Sequence, residues 1–240
     1  MDYYIVAIEK RYNKAVHNKV RKPSMKLVKT GIAGLDEFLT GGLPPRILLL
    51  AGLPGSGNEV FARQIAYTRA KQTGITYFTV NVSPDSVKED MATYNWDTTP
   101  LETTENWKFK TITKIASLQE TIIEEMKQHR TIIIDSLSEV LLTRKVEEAI
   151  NLLTAMSRQN KDSEEYHLLL LTDGMQDPKA ETAMQHFAEG VIVFNTTWTT
   201  DATHRDILVK KMKGIFVPER RLPYTIGKRG FLIETATRIT

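Results

Sequence analysis

A glycine-rich stretch between an apolar run and a helical pattern constrains the fold of this chain more than any other feature. The run Ile47–Ala51 leads into the letters GLPGSGNE at residues 52–59, and apolar residues recur at helical spacing from Val60 onward. A strand, a glycine loop and a helix in this order are typical of loops that hold a phosphate group at the start of the helix. The loop residues that would contact such a group are Gly52, Gly55, Ser56, Gly57, Asn58 and Glu59. We therefore predict one strand–loop–helix unit with the glycine pattern of a phosphate-binding loop.

The two positions after the last glycine depart from that motif. A phosphate-binding loop continues with Lys, which contacts the β- and γ-phosphates, and with Ser or Thr, which binds Mg²⁺; here these positions are Asn58 and Glu59. Loss of the Lys removes an attraction of about 4 kcal/mol for charges about 4 Å apart at an effective dielectric near 20. Asn58 is predicted to be the N-cap of the helix, and Glu59 to supply a negative charge in its first turn. Both substitutions oppose phosphate binding, although a carboxylate such as Glu59 is also able to bind Mg²⁺.

Apolar strands alternate with amphipathic helical patterns over most of the chain. The predicted strands are Ile47–Ala51, Ile75–Val82, Trp107–Ile112, Thr131–Asp135 and His167–Leu171. The predicted helices begin near residues 35, 60, 86, 115, 146 and 180. This alternation indicates an α/β fold with a mainly parallel sheet flanked by helices. Beyond residue 190 short strands follow one another across polar turns, which predicts an antiparallel C-terminal extension of the sheet. Its strands are Val191–Thr197, Asp206–Met212, Tyr224–Ile226 and Phe231–Glu234.

Composition limits the cellular setting and the chemistry. The chain has 240 residues and no Cys, which excludes disulfides and Cys-ligated metal sites. No apolar run approaches the roughly 20 residues of a membrane helix, and the start lacks the basic-then-apolar order of a secretory signal. We therefore expect a cytoplasmic protein without membrane insertion.

The basic character of the chain belongs to an N-terminal arm, residues 1–27, ahead of one domain at residues 28–240. Residues 1–30 contain eight Lys and Arg against two acids, so the other 210 residues contribute −3 to the total charge of +3. A basic arm binds nucleic acid or an acidic partner, or is only a solvated leader. The candidate nucleic-acid contacts are Lys10, Arg11, Lys14, Lys19, Arg21 and Lys22.

Several motifs in order resemble the KaiC-like branch of the RecA superfamily of ATPases. They are TGIAGLDEFLTGGLPPR at residue 30, YNWD at residue 94, IIIDSLS at residue 132, DPKAETAMQHFAEGVIVF at residue 177 and KKMKG at residue 210. The resemblance covers residues 28–234 and implies a RecA-like core. It also implies rings or filaments with ATP between subunits in many members, and monomers in some.

The resemblance assigns roles to single positions. Asp135 matches the Walker B aspartate, which would bind Mg²⁺ if a metal is present. Asn81 and Val82 stand where the family has a pair of glutamates, one of which activates the attacking water. Lys211 and Lys213 match a basic turn that reaches into the nucleotide site of a neighbouring subunit. The Walker A motif is therefore degenerate, and the glutamate pair is lost with it.

These substitutions favour a pseudo-ATPase, a non-catalytic or weakly active protein that acts as a regulatory or accessory binding partner, for example of a related RecA/KaiC-like ATPase. We expect no firmly bound cofactor and only weak binding of ATP and Mg²⁺. One alternative is a single-strand DNA-binding accessory factor similar to archaeal recombinase (RadA) paralogues, acting in DNA repair. Another is an atypical ATP hydrolase completed in trans by Lys211 or Lys213 of a neighbouring subunit.

Overall fold

The computed structural model describes residues 25–112 and 117–234. The six basic residues of the arm named above lie outside this part of the chain, as does the beginning of the helix predicted near residue 115. The nucleic-acid alternative therefore stays a prediction from the sequence.

The described residues form a nine-stranded mixed sheet with the order β3-β2-β4-β5-β1-β6-β7-β8-β9. The first six strands of that order are parallel, and β7 to β9 follow antiparallel. The strands are β1 (Ile47–Gly52), β2 (Ile75–Thr79), β3 (Trp107–Thr111), β4 (Thr131–Asp135), β5 (His167–Thr172), β6 (Gly190–Trp198), β7 (Thr203–Met212), β8 (Leu222–Gly227) and β9 (Gly230–Ile233). The predicted α/β fold with a parallel core and an antiparallel extension is confirmed.

Helices cover both faces of the sheet. They are α1 (Ala33–Phe38), α2 (Asn58–Ala70), α3 (Pro84–Ala92), α4 (Thr99–Thr103), α5 (Leu118–Lys127), α6 (Leu137–Thr143), α7 (Val146–Gln159) and α8 (Pro178–Phe187). Helices α4 and α6 were not predicted from the sequence. Both are short, with five and seven residues, so neither repeats an apolar face often enough to be recognised by its period.

Two hydrophobic clusters lie on opposite faces of the sheet because successive strand residues point to opposite sides. Leu48 and Leu50 of β1 pack with α1, α2 and the β8–β9 hairpin. Ile47 and Leu49 pack with α5, α6, α7 and α8 on the other face. The central strands are therefore buried on both sides and continuously apolar, which explains why their positions could be predicted.

The parallel register brings several strand ends to one edge of the sheet, which we call the loop edge. Gly52 at the end of β1 is level with Thr172 of β5, and Thr79 of β2 is level with Asp135 of β4. The glycine loop at residues 53–57 follows β1 at this edge and leads into α2. Ligands of open α/β sheets bind outside the carboxyl ends of the strands, so the loop edge is where a site is expected.

Candidate functional site

The start of α2 differs from the predicted cap. Gly57 is the N-cap residue, in a left-handed conformation with φ +85°, and Asn58 is already the first helical residue. The side chain of Asn58 is buried, and its Nδ2 donates to the carbonyl of Leu50 in β1 at 3.4 Å. Its Oδ1 accepts from the N–H of Glu59 at 3.1 Å. The prediction of Asn58 as N-cap was thus wrong by one residue, because glycine alone adopts the left-handed turn without strain.

Gly52 and Gly57 are required by packing whether or not a phosphate binds. A Cβ at Gly52 would lie 2.4 Å from Oγ of Ser56, and a Cβ at Gly57 would lie 2.2 Å from Cδ1 of Ile226. The hydroxyl of Tyr224 donates to the carbonyl of Ser56. Strand β8 therefore lies directly against the loop, and the C-terminal extension holds the loop in its shape.

A cleft of about 480 Å³ opens at the loop edge between α2, α3 and the start of α6. It is lined by Gly55, Asn58, Glu59, Val60, Arg63, Val82, Asp90, Thr93, Tyr94, Asp135, Ser136, Glu139, Leu170 and Thr172. Of the residues singled out in the sequence, Asn58, Glu59, Val82 and Asp135 line this cleft together. Four of the lining residues are acids, and Arg63 is the single Lys or Arg among the described residues of the lining.

Arg63 is the residue of this site that the sequence analysis missed. Its Nη2 lies 3.2 Å from Oδ2 of Asp135, and its Nη1 lies 3.0 Å from Oδ2 of Asp90. Its Nε donates to the hydroxyl oxygen of Tyr77 at 3.2 Å. The same hydroxyl donates to Oδ2 of Asp135 at 2.5 Å. Arg63, Tyr77, Asp90 and Asp135 therefore form one connected group, which we call the arginine clamp.

Burial and charge shift the protonation of the groups around the clamp. Burial alone would lower the pKa of Arg63, but Tyr77 and Asp135 raise it overall. Burial, together with the Asp135 carboxylate, raises the pKa of Tyr77 well above its usual value, so Tyr77 stays neutral and donates. Burial raises the pKa of Glu59, and the neighbouring carboxylate of Asp135 raises it further. The cleft is thus an unfavourable place for an additional negative charge.

Glu139 supplies a carboxylate where the strand end supplies none. Asn81 and Val82 follow β2, and the N–H of Asn81 donates to Oε2 of Glu139 at 3.1 Å. Glu139 comes from the first turn of α6, where Ser136 is the N-cap and accepts from the N–H of Glu139 at 3.4 Å. Ser136 and Glu139 have the Ser-x-x-Glu spacing that marks a helix start, so this signal was present in the sequence.

Lys211 and Lys213 lie at the edge of the sheet opposite the glycine loop. Met212 pairs with Gly190 of β6, which in turn pairs with Leu48 near the start of β1. Nζ of Lys211 donates to the carbonyls of His186 at 2.7 Å and Ala188 at 2.6 Å, at the end of α8. Nζ of Lys213 lies 3.4 Å from Oε1 of Glu189. The two lysines therefore cannot contact the glycine loop of their own chain.

Lys211 is partly desolvated by these contacts. Burial lowers its pKa, and the neighbouring charge of Lys213 lowers it further, whereas Glu189 raises it.

The described chain offers neither a metal cluster nor a membrane helix. Within residues 25–112 and 117–234, no group of three or more His, Asp or Glu side chains is arranged to hold a metal ion. None of the helices in these ranges is long and apolar enough to cross a bilayer.

Comparison with known proteins gives the family. The family described as "ATPase: KaiC" matches residues 28–238. A UPF0273 protein of Thermotoga maritima is 26% identical over 237 residues, covering 87% of this chain and 96% of the relative. UPF0273 protein PH0284 of Pyrococcus horikoshii is 42% identical over 78 residues, which cover 31% of each chain. The solved structure of KaiC-like protein PH0186 from Pyrococcus horikoshii OT3 superposes with a TM-score of 0.75 at 22% sequence identity. The match covers 88% of this chain and 100% of the solved chain, and it supports the fold. The chain belongs to the KaiC ATPase family.

Proposed function

We propose that this chain is a KaiC-family domain that hydrolyses little or no ATP and acts by binding a partner, such as a related KaiC-like ATPase. The observation that carries the proposal is the first turn of α2. The buried side chain of Asn58 is neutral and donates to the carbonyl of Leu50, and Glu59 adds a carboxylate to the cleft. The first turn of the helix therefore offers an anion where phosphoryl transfer needs positive charge.

The family implies ATP with Mg²⁺, and the residues of the cleft do not fit that group. Glu59, Asp90, Asp135 and Glu139 bring four carboxylates to the lining. Arg63 is already paired with two of them. The triphosphate would add several further negative charges with no uncommitted cation among the described lining residues. The missing Lys and the added Glu together weaken binding by about a thousandfold, since each 1.4 kcal/mol is a factor of about ten.

Partner binding is supported by the surface at the opposite edge of the sheet. Phe216 is 82% exposed and Phe187 is 44% exposed. Two clefts of about 460 and 420 Å³ lie beside these residues, and Lys211 and Met212 line both. Aromatic residues are enriched at protein interfaces relative to the rest of the surface. Members of the family commonly form oligomers, so a related chain is the partner that this surface favours.

The position of Lys211 and Lys213 favours a second candidate, an ATPase completed in trans. Because both lie opposite the glycine loop, a head-to-tail neighbour would receive them in its cleft. Against this candidate, Lys211 caps the end of α8 in its own chain, and Lys213 pairs with Glu189.

A titration of the full chain with Mg²⁺-ATP, followed by a hydrolysis assay, tests the proposal. We expect no measurable binding heat and no turnover, at both dilute and concentrated protein. The matched variant Asn58→Lys with Glu59→Thr restores the two motif residues and should gain nucleotide affinity. Turnover in the wild type that is lost in Asp135→Ala would contradict the proposal, and turnover found only in concentrated protein would favour completion in trans.

The partner is tested separately by mixing the chain with related KaiC-like ATPases from the same source. We expect a complex on gel filtration and a change in the hydrolysis rate of the partner. The variant Phe216→Ser should lose both effects while the fold is kept, because Phe216 is almost fully exposed. Neither a complex nor a change in rate with any such ATPase would exclude this class of partner.

A further inference from the structure

The carboxylate of Asp135 already has a cation and a hydrogen-bond donor on one oxygen. Oδ2 lies 3.2 Å from Nη2 of Arg63 and 2.5 Å from the hydroxyl of Tyr77. The side chains of Arg63 and Asp135 are only 11% and 12% exposed. Attraction between such charges is strong because little water screens it. The charge that a metal ion would neutralise is therefore neutralised from within the chain.

The guanidinium of Arg63 is held by three elements of the fold at once. Nε bonds to Tyr77 of β2, Nη1 to Asp90 of α3, and Nη2 to Asp135 of β4. Arginine presents its donors in a rigid planar fork and stays charged at all accessible pH values, so it is suited to such a site. A lysine in its place would carry the charge but could not reach three partners in these directions.

Arg63 reaches the cleft because of its place on α2. It follows Glu59 by four residues, so both side chains lie on the same face of the helix, one turn apart. Glu59 lines the cleft beside the loop, and Arg63 lies one turn further along, beside Asp135. The guanidinium therefore lies between α2 and the end of β4, against the aspartate that would bind a metal ion.

We propose that Arg63 is a built-in cation that takes the position of the divalent metal ion beside Asp135 and excludes that ion from the site. Binding of Mg²⁺ to Asp135 would require the Arg63 pair to break. Arg63 would then keep the neutral hydroxyl of Tyr77 and, as its ionic partner, Asp90, whose side chain is 61% exposed. Taking the buried partner from a buried charge is strongly unfavourable, and Mg²⁺ gives up its water reluctantly. The inference rests on the proposed function only in taking the cleft around Asp135 as the nucleotide site of the family. It concerns binding of the metal ion and does not depend on whether a nucleotide binds.

The test is a titration of the full chain with Mn²⁺ in the absence of nucleotide. Binding is measured as the decrease of the free Mn²⁺ signal in electron paramagnetic resonance. We expect no Asp135-dependent binding in the wild type. Arg63→Met should gain at least tenfold in affinity for Mn²⁺, because the carboxylates of Asp90 and Asp135 then lack the cation that neutralises them. Adding Asp135→Asn to that variant should remove the gain.

Arg69→Met is the matched control, because it lies on the same helix and pairs with the buried carboxylate of Glu165 at 2.8 Å. It also leaves a buried carboxylate without its arginine, but away from the cleft, so no gain in Mn²⁺ affinity is expected. Arg63→Gln keeps a donor toward Asp135 and replaces Arg63→Met if near-ultraviolet circular dichroism shows that Arg63→Met is unfolded.

Two results would overturn the inference. One is wild-type binding of Mn²⁺ that is as tight as in Arg63→Met and is lost in Asp135→Asn. The other is a folded Arg63→Met or Arg63→Gln variant with no gain over the wild type. If neither variant folds, the wild type decides alone: Asp135-dependent binding overturns the inference and its lack supports it. Failure of the proposed function would instead appear as binding or turnover of ATP. The Mn²⁺ assay contains no nucleotide, so the two failures can be distinguished.

Discussion

Replacement of Asp135 by Asn is expected to destabilise the protein, although Asp135 lies in a cleft with three other carboxylates. In an empty metal site, removing one carboxylate would relieve repulsion between the carboxylates, and the free energy of unfolding would stay unchanged or rise. Here the substitution leaves Arg63, which is 11% exposed, without its buried partner. Asn keeps the shape of the side chain and an oxygen that accepts from Tyr77, so the loss is chiefly one of charge.

The magnitude follows from the geometry of the pair. Breaking a buried ion pair by removing one partner costs about 3–5 kcal/mol. The lower end of that range applies because Nη1 of Arg63 keeps its contact of 3.0 Å with the more exposed Asp90. With a urea m-value of about 3 kcal/mol per M for a chain of this size, the midpoint of unfolding should fall by about 1 M.

The assay is urea unfolding at pH 7 without metal or nucleotide, with Asp173→Asn as the matched control. Asp173 follows β5 at the same edge of the sheet, and both burial and Glu181 raise its pKa. Its charged form is therefore disfavoured by folding, and its removal should leave the midpoint unchanged or higher. A midpoint of Asp135→Asn equal to or above the wild-type value would refute the reasoning that Arg63 neutralises Asp135 in the folded protein.

Three further perturbations test other parts of the structure. Burial lowers the pKa of His167 to about 3, so below about pH 6.5 the unfolded chain binds a proton at His167 that the folded chain does not bind. The free energy of unfolding should therefore fall with decreasing pH, by about 2 kcal/mol at pH 5. His167→Gln should lose this part of the pH dependence in urea titrations. Gly57→Ala places a Cβ 2.2 Å from Ile226 at φ +85°, so the melting temperature should fall clearly, and Ile226→Ala should recover part of the loss. Lys211→Met removes the donor at the end of α8 and should cost about 1–2 kcal/mol in urea, whereas Lys213→Met, which loses one exposed contact, should change little.

The predictable part of the site is the part that lies along the chain. The glycine loop, Asn58 at its end and Asp135 at the end of β4 belong to motifs with fixed spacing, and all three contribute to the lining of one cleft. Glu139 was missed although its capping signal was present, because α6 is too short for its period to appear. Arg63 could not have been assigned to this site from the sequence, because an arginine in the helical segment FARQI is expected on the solvent-exposed face of the helix.

The sequence by itself determined the fold and the family of this protein. Continuous apolar strands, amphipathic helices and ordered motifs are properties of neighbouring residues, so they can be read without coordinates. Only the tertiary structure decided what Asp135 contacts. Its partners Arg63 and Tyr77 come from α2 and β2, and Asp90, the second ionic partner of Arg63, comes from α3. These groups meet because the register of the sheet and the packing of α2 bring them together. Charge at a site depends on distance in space, and spacing along a single sequence does not give that distance.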